Sequence, residues 1–253
     1  MSTQDGHSAV NTRDRHGSVN AQDVSHFRLG RPLVVAIDGP SGSGKSSVSR
    51  EVARRMHLAY LDTGAMYRAV TWAALDAAID LEDAVRVEAL AREVSLELST
   101  DPARELVVAN GRDVTAAIRE PRISEAVSYV ATTMGARAEL ISRQQAVIAE
   151  CGHRIVAEGR DITTVVAPDA HTRILLTASE ESRLRRRAAQ LSEAGEAQES
   201  EALRAQVAGR DAKDSSAANF TTAADGVVTL DSSDLDFEQT VQAVIQIVVN
   251  NGE

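Results

Sequence analysis

Residues 34–56 read VVAIDGPSGSGKSSVSREVARRM, and this stretch restricts the fold more than any other. Val34-Val35-Ala36-Ile37 is an unbroken β-branched and apolar run, the pattern of a strand covered on both faces in a parallel sheet. Gly39, Pro40, Gly42 and Gly44 follow, and then Val48, Val52, Ala53 and Met56 recur at helical spacing. The spacing is G-x-x-x-x-G-K-[ST], placed after a strand and before a helix. Glycines let the main chain turn so that several N–H groups converge on one anion, and the helix start adds its positive dipole end. A helix terminus contributes only about 0.3–2 kcal/mol toward a charge. The amides of Gly39, Pro40-flanking Ser41, Gly42, Ser43, Gly44, Lys45, Ser46 and Ser47, with the Lys45 charge, must therefore supply most of the grip. Ser46 is placed to ligate Mg2+. The stretch predicts binding of a nucleoside triphosphate and leaves the acceptor open.

The rest of the chain repeats the strand-to-turn rhythm. LAYLD (58–62), RIVAEGRD (154–161), RILLTAS (173–179) and GVVTLDSS (226–233) are short strands that run into polar or glycine-containing turns. Helices are expected over 65–78 and 236–250. Strands alternating with helices imply an α/β fold with a parallel central sheet between two helical layers, and ligands beyond the carboxyl ends of its strands. Two segments break the rhythm. Residues of about 95–120 alternate apolar and polar around Asn110-Gly111, which predicts a small antiparallel insertion. Residues of about 179–211 are nearly all charge and alanine around Gly195, which predicts two exposed helices, either a solvated hairpin or a mobile lid.

Composition excludes several classes. A net charge of −10 should repel a polyanion, and aromatics at 3% leave few stacking platforms for bases, so no nucleic acid is expected as partner. Cys151 is the only cysteine, which excludes a disulfide within the chain and a cysteine zinc cluster. No apolar run reaches a membrane span of about 18 residues, and the first residues lack a signal-peptide core. The expectation is a cytoplasmic protein with no membrane partner. Residues 1–31 hold too few apolar groups to offset ordering entropy and are expected to be a disordered extension, its His7, His16 and His26 too widely spaced to suggest metal.

Phosphoryl transfer between two anions needs cations around both. Arg68 follows DTGAMY, Arg160 comes after the strand of the 154–161 unit, and Arg183, Arg185, Arg186 and Arg187 crowd the exposed segment. A helix cannot aim Arg185, Arg186 and Arg187 in one direction. Asp62, at the end of an apolar run, is a candidate carboxylate for Mg2+. An N-K-x-D stretch that would read guanine is missing from the sequence.

IDGPSGSGKSSVSREVA, LDTGAMYRAV, VAEGRDITTVVAPDA and ILLTAS, in this order, resemble the bacterial cytidylate kinases, a family of P-loop nucleoside monophosphate kinases. The resemblance runs from about 33 to 249. It implies a P-loop NTPase three-layer α/β/α fold as one kinase domain over 32–253. An acceptor-binding insertion would lie at about 90–140 and a helical lid at about 179–211. The implied reaction is reversible transfer from ATP, with Mg2+, to CMP or dCMP, usually by a monomer. Carried over by position, Thr63, Tyr67 and Arg68 face the acceptor, with Arg68 on its phosphate. Ser128 and Arg137 help to read cytosine, Arg160 holds the acceptor phosphate and Asp161 the base. Arg210 and Asp214 reach the ribose. Lys45, Arg160, Arg183 and Arg187 would neutralise the charge in flight. An ionised Asp161 can only accept hydrogen bonds, which suits the 4-amino group of cytosine and opposes the 4-oxygen of uracil. One departure is local: the arginine and Pro-Leu pair that usually follow an RDxxDS segment are missing from DSSAANFTTAAD. That contact is lost or comes from elsewhere. The remaining alternatives are a small-metabolite kinase of the shikimate type and a nucleotide-dependent switch or ATPase.

Overall fold

The computed structural model describes residues 31–193, 209 and 220–251, with backbone alone for 190–193. Its strands are β1 (Leu33–Asp38), β2 (Ala59–Asp62), β3 (Leu96–Leu98), β4 (Val107–Ala109), β5 (Arg112–Asp113), β6 (Arg154–Gly159), β7 (Thr172–Thr177) and β8 (Val228–Asp231). The helices are α1 (Lys45–Met56), α2 (Thr63–Asp76), α3 (Ala84–Glu93), α4 (Pro121–Thr132), α5 (Met134–Glu150), α6 (Glu180–Glu193) and α7 (Phe237–Asn251). The first thirty residues, where the extension was expected, and most of 194–219 lie outside the described residues.

A five-stranded sheet runs in the order β2-β6-β1-β7-β8, and every pairing in it is parallel. Alternate residues of a strand point to opposite faces, and β1 shows the result. Val35 and Ile37 pack with Val48 and Val52 of α1 and with Val241, Val244 and Val248 of α7. Val34 and Ala36 pack on the other face with Ala65, Met66 and Ala69 of α2 and with Leu140 and Ile148 of α5. Helices thus cover both faces, which explains why β1 is buried along its whole length. Alanines Ala65, Ala69 and Ala73 let α2 lie close to the sheet, and Asp62 caps its start by accepting from the Ala65 N–H at 2.9 Å.

A second, antiparallel sheet runs β3-β4-β5, with Asn110-Gly111 at the β4–β5 turn. Val107 and Ala109 of β4 are buried against the cluster that contains α2. A short 3-10 turn, Ala117–Arg119, then leads into α4 with Pro121 at its first position. The small sheet therefore stands beside the carboxyl end of β2, where Tyr60 donates its N–H to the Thr100 carbonyl at 2.9 Å.

Candidate active site

The carboxyl ends of β1, β2 and β6, together with α4, α5, α6 and the start of α7, border one cleft of about 910 Å3. The phosphate loop sits at its centre because β1 is the middle strand. A Cβ on Gly39 would lie 2.1 Å from the Leu176 carbonyl oxygen, so the loop leaves β1 through a gap that only glycine passes. Gly44 (φ 88) is the residue before α1, and no side chain caps that helix. The positive helix end therefore faces the cleft.

The loop is held from outside by cations on its carbonyls. Lys45 Nζ donates to the Pro40 carbonyl at 3.0 Å and Arg160 Nη1 to Gly39 at 2.9 Å. From α6, Arg183 Nη1 donates to Ser41 at 3.0 Å and Arg186 Nη1 to Ser43 at 3.1 Å. Carbonyls tied outward favour amides turned inward, the arrangement an anion needs. Arg185, Arg186 and Arg187 all border the cleft although a helix fans them over about 200°. The segment starting at Glu180 is not a wholly solvated helix, since Ser182 is buried and Arg183 and Arg186 pack on the loop.

Facing the loop are the acceptor candidates. Thr63 is buried and donates Oγ1 to the Glu158 carbonyl at 2.8 Å. Tyr67, Arg68, Arg137, Arg160 and Asp161 line the cleft. Arg68 Nη2 pairs with Asp62 at 2.8 Å, and Arg137 Nη2 with Asp161 at 2.5 Å. Ser128 is buried in α4, next to the cleft-lining Val127. Gly42, Ser43, Ser46 and Ser47 also line the cleft. Arg210 and Asp214 lie outside the described residues.

Three groups escaped the sequence reading. Asp38 ends β1 and accepts from the Ile162 N–H (2.9 Å), the Thr163 N–H (2.8 Å) and Thr163 Oγ1 (2.6 Å). It ties the turn that carries Asp161 to the root of the phosphate loop. Glu158 is the last but one residue of β6, beside Ile37 of β1, and accepts from Ser46 Oγ at 2.5 Å. Arg119 borders the cleft from the 3-10 turn. An acid at the end of a buried apolar strand was a visible signal for both Asp38 and Glu158; Arg119 carried none. Asp62, the carboxylate first considered for Mg2+, is instead committed to Arg68 and the α2 cap, and its strand is two positions from β1.

The cytidylate kinase family model matches residues 35–250. A cytidylate kinase of Cutibacterium acnes is 47% identical over 221 residues, which cover 86% of this chain and 96% of that one. A cytidylate kinase of Nocardia farcinica is 43% identical over 219 residues, covering 86% and 94%. A bifunctional pantoate ligase/cytidylate kinase of Synechococcus is 47% identical over 191 residues, covering 74% of this chain and 35% of the longer protein.

The chain belongs to the cytidylate kinase family.

Electrostatics in this cytidylate kinase site divide along the cleft. Burial raises the carboxyls of Asp38 and Glu158 above the ordinary range, and the hydrogen bonds each accepts only partly offset it. Burial also raises Asp161, opposed by the Arg137 charge. Asp62 goes the other way: burial works against its charge, but Arg68 and Arg119 together hold it below the usual value. Tyr67 is pushed up to about 12 by burial and then by the Asp161 charge, so its phenol stays protonated at neutral pH. Around these carboxyls stand Lys45, Arg68, Arg119, Arg137 and Arg160, and the cleft is therefore fitted for anions despite the acidic chain.

Proposed function

We propose that the chain transfers the γ-phosphoryl group of ATP reversibly to CMP and dCMP, giving ADP with CDP or dCDP. The observation that carries this reading is the Arg137–Asp161 pair, held in the same cleft as the glycine loop by Asp38. The loop supplies a triphosphate site, and the pair supplies an acceptor for the cytosine amino group together with a donor. Polar recognition of this kind rejects a wrong partner by about 10⁴–10⁵ at best. Arg68 and Arg160 are assigned to the acceptor phosphate. Arg68 Nε is buried with no hydrogen-bond partner, a donor that an anion would satisfy.

Transfer is in line and needs no covalent enzyme intermediate, because the acceptor phosphate is anionic near neutral pH. Lys45 and the α6 arginines, Arg183 and Arg187 among them, neutralise the phosphates, and the packing of α6 on the loop helps exclude water. Ser46 Oγ and Glu158 form an oxygen donor pair next to the loop. Such a hard-oxygen pair fits Mg2+, which takes one or two protein oxygens plus substrate phosphates. When bound, Mg2+ would spread the charge of the transferring group. Among the described residues no helix is long and apolar enough to cross a membrane, and we place the reaction in the cytoplasm.

The test is ADP release measured against a panel of nucleoside monophosphates. Stimulation by CMP and dCMP, with little by UMP or AMP, supports the reading; hydrolysis indifferent to every monophosphate would return the switch or ATPase alternative. Lys45→Ala should lower kcat by at least about 10²-fold with the fold retained, and an active Lys45→Ala protein would remove the loop from the mechanism.

A further inference from the structure

Arg119 closes the 3-10 turn at the exit of the small sheet and borders the cleft that also holds Arg68 and Arg160. Its side chain is 44% exposed and pairs with Glu105 from the β3–β4 connection. Glu105 also faces Arg50 of α1 at 3.4 Å. Arg68, meanwhile, is held by Asp62. The local account is the cations of Lys45, Arg50, Arg68 and Arg119 against the carboxyls of Asp62, Glu105 and Glu158, four against three, a surplus of one positive charge with all of them ionised. Arg160 adds another cation from the residue that follows β6.

Cations gathered in excess of the surrounding carboxylates cost free energy, and the effect is visible in the residues themselves. Burial and then the Arg68 charge depress the pKa of Arg119. Both Arg68 and Arg119 act on Asp62, so the two guanidiniums share one neighbourhood. Arg68 Nε in that neighbourhood is buried with no hydrogen-bond partner. Glu105 is partly exposed, at 35%, and comes from a connecting segment, so its contact with Arg119 is exchangeable at small cost.

We propose that Arg119 is a phosphate-binding residue for the acceptor, supplied by the insertion, and that Glu105 holds its place until the nucleotide arrives. The proposal rests on the kinase reading above. The incoming phosphate replaces Glu105 as the partner of Arg119, and the positive surplus around Arg68 and Arg119 is neutralised. Binding of the acceptor thereby releases Glu105 from Arg119 and leaves it with Arg50 of α1 as its partner.

Calorimetric titration with CMP and with cytidine, which lacks the phosphate, separates this from a structural brace. Arg119→Gln should weaken CMP and dCMP binding alike by about 10–100-fold, the loss expected for a charged hydrogen-bond pair. Cytidine binding and the KM for ATP should stay within about 2-fold, and Arg119→Lys should recover part of the loss. Glu105→Gln should tighten CMP, since it removes the competing carboxylate. Equal losses for CMP and cytidine, or an unchanged CMP affinity in Arg119→Gln, would overturn the proposal. If Arg119→Gln does not fold, Glu105→Gln decides: tighter CMP supports the proposal, and unchanged or weaker CMP ends it. Wild-type ADP release that ignores CMP would instead defeat the kinase reading itself.

Discussion

Asp161 concentrates the selectivity problem into one side chain. It is buried, and burial raises its carboxyl above the ordinary range while the Arg137 charge opposes the rise. Above its pKa it accepts only, which favours the cytosine amino group. Below it, the protonated acid can also donate, and a donor suits the uracil oxygen. The ratio of kcat/KM for CMP over UMP should therefore rise with pH through the raised pKa of Asp161. Asp161→Asn, which donates and accepts at every pH, should reduce the ratio by at least about 10-fold and flatten its pH dependence. A ratio that stays pH-independent in the wild type, or survives the substitution, would contradict the role given to Asp161. Asp38 is as important but silent in substrate contact, because its three accepted hydrogen bonds fix the turn on which Asp161 sits.

Helix α6 acts as a clamp on the phosphate loop through a few long side chains. Arg186 reaches the Ser43 carbonyl, Ser232 Oγ and carbonyl, and the Leu235 carbonyl, and so joins the loop to the β8–α7 connection. Arg186→Met keeps much of the stem and removes these bonds. The KM for ATP should rise by about 10-fold or more, since charged hydrogen bonds are worth about 1.5–3 kcal/mol each. The KM for CMP should move little, because the acceptor residues lie toward β2 and β6 on the far side of β1. Equal increases for both substrates would show that α6 orders the whole cleft instead.

Stability and function draw on the same buried acids at the scale of the molecule. Glu158 has a folded-state pKa raised by burial, so the native protein binds its proton more tightly than the unfolded chain does. Its contribution is most favourable at low pH and is lost as pH rises from the unfolded value of about 4.5 through the raised folded value. Glu51 and Glu238 have the opposite sign: Arg54 and Arg55 respectively hold each at about 2. Their support is present above the ordinary glutamate range and disappears as pH falls toward about 2. Thermal unfolding of the nucleotide-free protein should thus show Glu158→Gln gaining Tm relative to wild type as pH is raised from 4.5. A Tm difference that shrinks or stays constant over that rise would refute the assigned sign.

Much of this was legible without coordinates where the signal is local in the chain. The apolar run before Gly39, the G-x-x-x-x-G-K-S spacing and the alternation of strands with helices specify a parallel sheet with a phosphate loop at a strand end. The Asn110-Gly111 turn likewise marks its hairpin, because strand reversal is a property of a few adjacent residues. Other features arise only when distant segments meet. Strand order β2-β6-β1-β7-β8 puts Glu158, rather than Asp62, beside β1. Asp38 and Thr163 are joined across the sheet, and Arg119 meets Glu105 and the neighbourhood of Arg68 only after the insertion folds back on α2. The sequence by itself determined the local backbone and the kind of anion it can hold, because turns and helix starts depend on neighbours in the chain. Tertiary structure alone decided which charges share the cleft, because Coulomb interactions depend on distance through space and on burial.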